Sequence, residues 1–325
     1  MKNQKFSFRG MKKDISKSKH PYEFYYDAQH IRILATDSQS TGSVFNEKGN
    51  EKIISLPNIT IDSDNKTINF KDEGKGNVIV LLHGYLETLD VWTEFSKALS
   101  KSFRVISVDL LGHGQSGTFK VNTMDLMAEA VDTVLASLHV EKCVVVGHSL
   151  GGYVTLAFAD NYANRLVGFS LFHSSAYADT KEKINNRERE IKLVKQGKKD
   201  LLLNANIPKI FADENLIQYS SVVERIKKNA LQIADDGIIA TLKGMMQRPD
   251  RRNVLKNTNV PVLYFIGVKD NFIPYQEALK QAELSEKIKA VVLHNSGHIG
   301  FVEEKEKSVC ELSAFVNYCY KGSND

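Results

Sequence analysis

The chain has 325 residues, of which 42 % are hydrophobic and 25 % charged, a balance that lets one α/β domain with additions bury a sizeable core. A net charge of +4 is too weak at this length to mark a nucleic-acid groove. The basic excess is uneven: residues 1–20 hold seven Lys/Arg against one acid, Asp14. Three cysteines, Cys143, Cys310 and Cys319, share no motif spacing, which fits free thiols in a reducing compartment. No apolar run reaches the length of about 18 residues that crosses a bilayer. None follows the basic start either, so no secretory signal is expected and a cytoplasmic location is.

Residues 1–50 are polar and without steady periodicity, and read as a loosely ordered N-terminal extension. Segments 24–26 and 31–34 are short strand candidates inside it, and 37–50 reads as loop. From 51 the pattern sharpens. Residues 59–61 and 67–70 alternate apolar and polar around turn chemistry at 62–65, which predicts an antiparallel hairpin. A continuous apolar strand is expected over 78–82, ending in His83-Gly84-Tyr85-Leu86-Glu87. A helix over 91–100, a strand over 105–108 and a Gly-rich loop over 109–116 follow. Residues 123–138 read as an amphipathic helix capped by Thr123 or Asn122.

Residues 143–146 form a further apolar strand, and it runs straight into Gly147-His148-Ser149-Leu150-Gly151-Gly152 and then a helix over 153–160. Gly-x-Ser-x-Gly between a strand and a helix is a nucleophile elbow: the glycines relieve a cramped turn that lifts the Ser149 hydroxyl clear of the sheet edge. The next strand, 166–172, completes a strand–helix rhythm that means a parallel sheet covered on both faces. That rhythm breaks over 176–250, where helical stretches at 181–195, 215–235 and 237–247 dominate. An excursion this long reads as a helical cap inserted into the sheet domain. The core then resumes over 251–325, with a strand at 260–267, a helix at 275–283, a strand at 290–293 and a closing helix at 303–320.

A serine hydroxyl needs a base, and the base needs a group to orient it. Asp270 follows the strand at 260–267, and His298 follows the last strand on a glycine-flanked loop. All three residues therefore leave the carboxyl ends of strands, where open α/β sheets place their sites. The chain order, Ser then acid then His, fits a triad. Acyl transfer also needs donors for the oxyanion, and the backbone N–H groups of Leu150 and Tyr85 are the candidates. His83, His113, His148, His173 and His294 lack the spacing of a zinc site and read as structural, with His83 bridging loops and His148 packing under the elbow.

Together, His83-Gly84, Asp109-x-x-Gly112-x-Gly114-x-Ser116, Gly147-His148-Ser149-Leu150-Gly151-Gly152, Lys269-Asp270 and Gly297-His298 resemble the α/β-hydrolase superfamily, in its serine esterase-like, carboxylesterase-type branch. The likeness covers about residues 57–320. It implies an α/β fold with a mostly parallel eight-stranded sheet, helices on both faces and a helical lid after strand 6. It places the nucleophile on Ser149, the acid on Asp270, the base on His298 and the oxyanion donors on Tyr85 and Leu150. The elbow serine departs from the aspartate of dehalogenases and epoxide hydrolases, and His-Gly-Tyr departs from the His-Gly-Gly-Gly of hormone-sensitive-lipase-like esterases.

The expected function is hydrolysis of a small-molecule carboxylic ester, thioester or lactone through an acyl-enzyme, with no cofactor and no metal. Cleavage or lysis of a C–C bond on the same triad is the alternative, and a non-catalytic binding protein of the same fold a further one. Trp92, Tyr177, Phe211, Met245 and Met246 are candidates for an apolar pocket, with core packing the competing reading. Arg187, Arg189, Arg248, Arg251 and Arg252 read as a solvated face, against a role in meeting an acidic substrate group. The sequence leaves the oligomeric state open.

Overall fold

In the computed structural model the described residues are 66–322, preceded by the backbone of five short strands: β1 (Glu23–Tyr26), β2 (Ile31–Ala35), β3 (Thr41–Phe45), β4 (Glu51–Ser55) and β5 (Ile59–Ser63). The basic stretch 1–20 lies outside the described residues. Strands β1 and β2 fall where 24–26 and 31–34 are expected, whereas β3 lies inside the stretch read as loop. β5 turns back into β6 (Lys66–Ile68) with Ser63 opposite Lys66, as the turn chemistry predicts. This hairpin joins a four-stranded antiparallel sheet in the order β1-β2-β5-β6, while β3 and β4 form a two-stranded sheet.

The second arm of the hairpin is interrupted at Asn69, before β7 (Phe70–Gly74). Asn69 turns its polar groups onto the loop after β9 (Arg104–Val108): its N–H donates to Ser116 Oγ at 2.9 Å and its Nδ2 to Asp109 Oδ2 at 2.7 Å. Past that break β7 pairs with β9 as the antiparallel edge of the main sheet.

The main sheet has seven strands in the order β13-β12-β11-β10-β8-β9-β7. The new members are β8 (Val78–Leu82), β9 (Arg104–Val108), β10 (Cys143–His148), β11 (Leu166–Phe172), β12 (Val262–Gly267) and β13 (Ile288–Leu293). The expected eighth strand is absent from it because β5 pairs with β2 and β6 instead. The helical insertion therefore follows the fifth strand of this sheet, β11. β8, β10, β11 and β12 are buried along their whole length, as continuous apolar runs in a doubly covered parallel sheet must be.

The connections explain where a site can form. α1 (Thr93–Leu99) carries the chain from β8 outward to β9, and α2 (Met124–Ser137) carries it back across β8 to β10. Right-handed crossovers put these helices on opposite faces. α3 (Leu150–Asn161) continues in the second direction and packs on α2. The winding reverses between β8 and β10, so the crevice opens at their carboxyl ends. The hydroxyl of Thr123 caps α2 by accepting the Leu126 N–H. An aromatic core of Trp92, Phe95, Phe172, Phe265 and Phe301 fills the α1 side, with Phe172 and Phe265 stacked at 4.0 Å.

Between β11 and β12 the chain forms α4 (Lys181–Lys195), α5 (Lys199–Asn206), α6 (Ser220–Leu231) and α7 (Asp235–Gln247), then α8 (Arg252–Asn257). α4 packs on α7. α9 (Tyr275–Ala282) joins β12 to β13, and the closing helix expected over 303–320 is α11 (Lys305–Lys321), preceded by the short α10 (Gly300–Glu303). Among the described residues, no helix is long and apolar enough to cross a membrane.

Candidate active site

Ser149 sits between β10 and α3 with φ 49° and ψ −111°. A positive φ on a residue with a Cβ is strained by about 1–3 kcal/mol and persists only where the surroundings enforce it. Here its N–H is pinned to the Phe172 carbonyl at 3.0 Å, and the glycines around it let the turn close. A Cβ on Gly147 would strike the Gly151 carbonyl, and one on Gly151 the carbonyls of Leu82 and His83. The second clash shows how tightly the elbow helix is drawn against the end of β8. Leu86 and His173, with φ 60° and 48°, are also left-handed, so three of the four non-glycine residues with positive φ among the described residues follow β8, β10 and β11, the fourth being His139.

His298 and Asp270 are brought together. His298 Nδ1 lies 2.8 Å from Asp270 Oδ2 and 3.0 Å from Oδ1. The N–H groups of Phe272 and Ile273 donate to Asp270 Oδ1 at 2.8 and 3.0 Å. Burial works to raise the Asp270 carboxyl, but His298, His173 and the Ile273 N–H outweigh it and hold it below the ordinary carboxylate range. An ionised Asp270 accepts a hydrogen bond from His298 Nδ1–H, which leaves Nε2 as the nitrogen without a proton in the neutral ring. Among the described residues, no hydrogen bond joins that nitrogen to Ser149 Oγ. Such contacts commonly tighten only in the substrate complex.

Ser149 is half-buried, and the N–H groups of Tyr85 and Leu150 have no acceptor among the described residues. The first belongs to the loop after β8, the second opens α3. They are the two donors expected for an oxyanion.

The other histidines divide by charge. His83 donates from Nδ1 to the Gly84 carbonyl at 2.8 Å and accepts the Leu110 N–H at Nε2 at 2.9 Å, bridging two loops as expected. Burial pulls it down to about 4, and His113 to about 3, so both are neutral. Burial also lowers His173, whose Nδ1 and Nε2 face the Gly267 and Gly300 N–H groups at 3.1 and 3.0 Å. A neutral ring accepts only one of these. Asp270 Oδ2 lies 3.6 Å from Nδ1, which favours a proton on Nδ1 and acceptance from Gly300 at Nε2.

His148 differs. Its Nδ1 is 2.9 Å from Glu87 Oε2 and its Nε2 is 2.7 Å from the backbone oxygen of His298. Burial lowers its affinity for a proton, but Glu87 more than restores it, and the net shift is upward. Burial raises Glu87, and His148 and the Gly84 N–H bring it below its ordinary value. The sequence reading placed His148 under the elbow, where it packs against Trp92 and Phe301, but did not find Glu87. The only available signal was an acid beside His-Gly and a histidine inside the elbow.

The pocket candidates scatter. Trp92 is fully buried, with its ring 4.0 Å from Phe301. It belongs to the core beneath the elbow, because the apolar surface of α1 needs a cover there. Phe211 is buried and stacked on Tyr219, next to the Gly297 backbone of the His298 loop. Met245 is buried in α7, and the ring of Tyr177 lies under the Arg252 guanidinium at 4.7 Å. Met246 is half-buried.

The arginines depart from a solvated face. Arg187 and Arg248 converge on Asp179, at 2.6 and 2.7 Å, and the Asp179 side chain is fully buried. Arg251 is buried between Asp125 and Asp160. Arg189 and Arg252 remain outward. The Arg248 guanidinium also covers the Tyr153 ring of α3 at 3.9 Å. Glu190 of α4 adds a carboxyl raised by burial, beside the Tyr85 side chain. The Tyr85 hydroxyl, Glu190 Oε2 and Arg248 Nε are buried without a well-formed hydrogen bond. Among the described residues, no group of His, Cys, Asp or Glu is arranged to hold a metal ion.

This architecture is the α/β-hydrolase fold, and the chain is similar to proteins of that superfamily. A family model described as alpha/beta hydrolase fold matches residues 77–175, from the start of β8 past the elbow. The dihydrolipoyllysine-residue acetyltransferase component of an acetoin cleaving system from Pseudomonas putida is 30 % identical over 246 residues. That match takes in 74 % of this chain, which spans only 64 % of that relative's length. The AB hydrolase superfamily protein YisY from Bacillus subtilis is 29 % identical, over 77 % of this chain and 96 % of its own. A thermophilic esterase from Thermogutta terrifontis superposes with a TM-score of 0.75 at 29 % identity, covering 78 % of this chain and 94 % of that one.

Proposed function

We propose that the protein is a serine hydrolase that cleaves a small carboxylic ester through an acyl-enzyme on Ser149. The observation that carries this reading is the Asp270–His298 pair, closed at 2.8 Å on the same sheet rim that presents the strained serine. In the proposed cycle Ser149 Oγ attacks the ester carbonyl and His298 Nε2 takes its proton. Asp270 holds Nδ1–H and stabilises the imidazolium. The Tyr85 and Leu150 N–H groups receive the charge that develops on the carbonyl oxygen. Collapse expels the alcohol, which leaves with the proton from His298, and water repeats the sequence to free the acid. The superposition on an esterase supports this reaction class.

The helical insertion is the proposed cap over the site. Its Arg187, Glu190 and Arg248 face Tyr85 and Tyr153, and this polar flank supports an ester carrying a hydrogen-bonding group over one with a plain alkyl chain. The test is covalent. A fluorophosphonate probe labels the wild type at Ser149, and Ser149→Ala abolishes both labelling and p-nitrophenyl acetate turnover. Turnover that survives Ser149→Ala rules the mechanism out.

A further inference from the structure

Three loops must converge for the proposed reaction: the one after β8 that carries Tyr85, the elbow, and the one after β13 that carries His298. A single buried carboxylate touches two of them and reaches the third through one ring. Glu87 Oε2 accepts the Gly84 N–H at 2.6 Å, which folds the β8 loop back on itself. The same oxygen lies 2.9 Å from His148 Nδ1, in the elbow. The far nitrogen of that ring, Nε2, lies 2.7 Å from the backbone oxygen of His298. Glu87 and His148 are 3 % and 1 % exposed, so water cannot substitute for these contacts.

Both partners of the His148 ring are oxygens. A neutral imidazole can donate from only one nitrogen, and the other would then press a lone pair against an acceptor. With Glu87 ionised, the ring satisfies both only as the imidazolium, and Glu87 supplies its countercharge.

We propose that Glu87 and His148 form a clasp that positions the catalytic base, with Nδ1–H donated to Glu87 and Nε2–H to the His298 carbonyl, so that one buried ion pair sets the β8 loop, the elbow and the His298 backbone relative to one another. This inference rests on the triad reading of Ser149, Asp270 and His298. Neither Glu87 nor His148 touches the reacting atoms, and both are positioning residues. Their contribution lies in the approach of His298 to Ser149, where a displacement of about 1 Å can cost on the order of 100-fold in rate.

The experiment compares H148F, which removes both N–H donors, with H148Q, whose amide keeps a donor for the His298 carbonyl. E87M/H148F also removes the carboxylate that H148F strands, and serves if H148F alone does not fold. Circular dichroism verifies folding, and the readouts are fluorophosphonate labelling rate, kcat and KM on p-nitrophenyl acetate. Folded H148F or E87M/H148F is expected to lose roughly 10- to 100-fold in labelling rate and kcat, with KM within about twofold. H148Q recovers most of the loss. A folded H148F or E87M/H148F that labels at the wild-type rate overturns the clasp, as does an equal loss in H148Q and H148F. S149A, run in parallel, separates the two readings. If it turns over substrate normally the triad itself falls, whereas an inactive S149A beside a fully active H148F removes the clasp alone.

Discussion

At the rim of the sheet Asp270 grips His298, and in the elbow Glu87 grips His148. Each is a buried carboxylate on the Nδ1 of a buried ring, at 2.8 and 2.9 Å. They differ in what the other nitrogen meets. His148 Nε2 is occupied by a backbone carbonyl, and the ring is locked at both ends. His298 Nε2 has no hydrogen-bond partner among the described residues. A ring with both nitrogens engaged can only hold structure, whereas a ring with one nitrogen open can move a proton. In the proposed reading, the same two functional groups thus serve as frame or as catalyst according to a single contact.

The most severe way to break this comparison is at the open ring. Asp270→Asn keeps the shape but takes away the charge that fixes the His298 tautomer. Its kcat on p-nitrophenyl acetate is expected to fall about 10⁴-fold, as loss of a triad carboxylate does elsewhere. A drop no larger than that of H148F would mean that the two pairs are equivalent. A smaller effect is expected in the proposed cap. Arg248→Met leaves Arg187 on Asp179 and should raise KM about 3- to 10-fold for an ester bearing a carboxylate or hydroxyl, with kcat and a plain acetate ester little changed. Equal effects on polar and plain esters would remove the cap arginines from substrate recognition.

The smallest effect is thermodynamic and concerns the locked ring. His148 is raised from its ordinary 6.5, so its contribution to stability is full below that value and is lost as pH rises through the folded one. Glu87 is lowered from 4.5, so its contribution is full above that value and is lost as pH falls through the folded one. The other titratable groups near the ring are His83, His173, His298 and Asp270. The difference in melting temperature between wild type and E87M/H148F should therefore favour the wild type most between pH 4.5 and 6.5, and shift by a few degrees outside that window. A difference that is flat with pH would mean that the pair is uncharged.

Much of this was legible in the chain. Apolar runs at 78–82, 143–146 and 166–172 are buried strands because nothing but a doubly covered parallel sheet accommodates them. The elbow and Asp270 could be placed because each follows such a run, and His298 because it follows the last strand, although β13 is only partly buried. The hairpin at 59–68 was legible as a hairpin but not as a member of a separate sheet, since alternation specifies a face and not a neighbour. Glu87 was missed because its partner is 61 residues away, and no local pattern links them. Arg187 and Arg248 were misjudged for a related reason. α4 is so polar that it buries only Val194 among its own residues, and the acid that draws both arginines inward, Asp179, lies just before it. Trp92 was ambiguous in the sequence because a large apolar side chain serves a core and a pocket equally well.

The contorted backbone at Ser149 sets two kinds of fitness against each other. A glycine at that position would let the turn relax, and would delete the proposed nucleophile in the same step. Random change that is screened only for heat resistance should drift there, toward a hardier molecule that no longer reacts. The hydroxyl therefore persists only while something outside the fold, a need for its chemistry, keeps selecting for it.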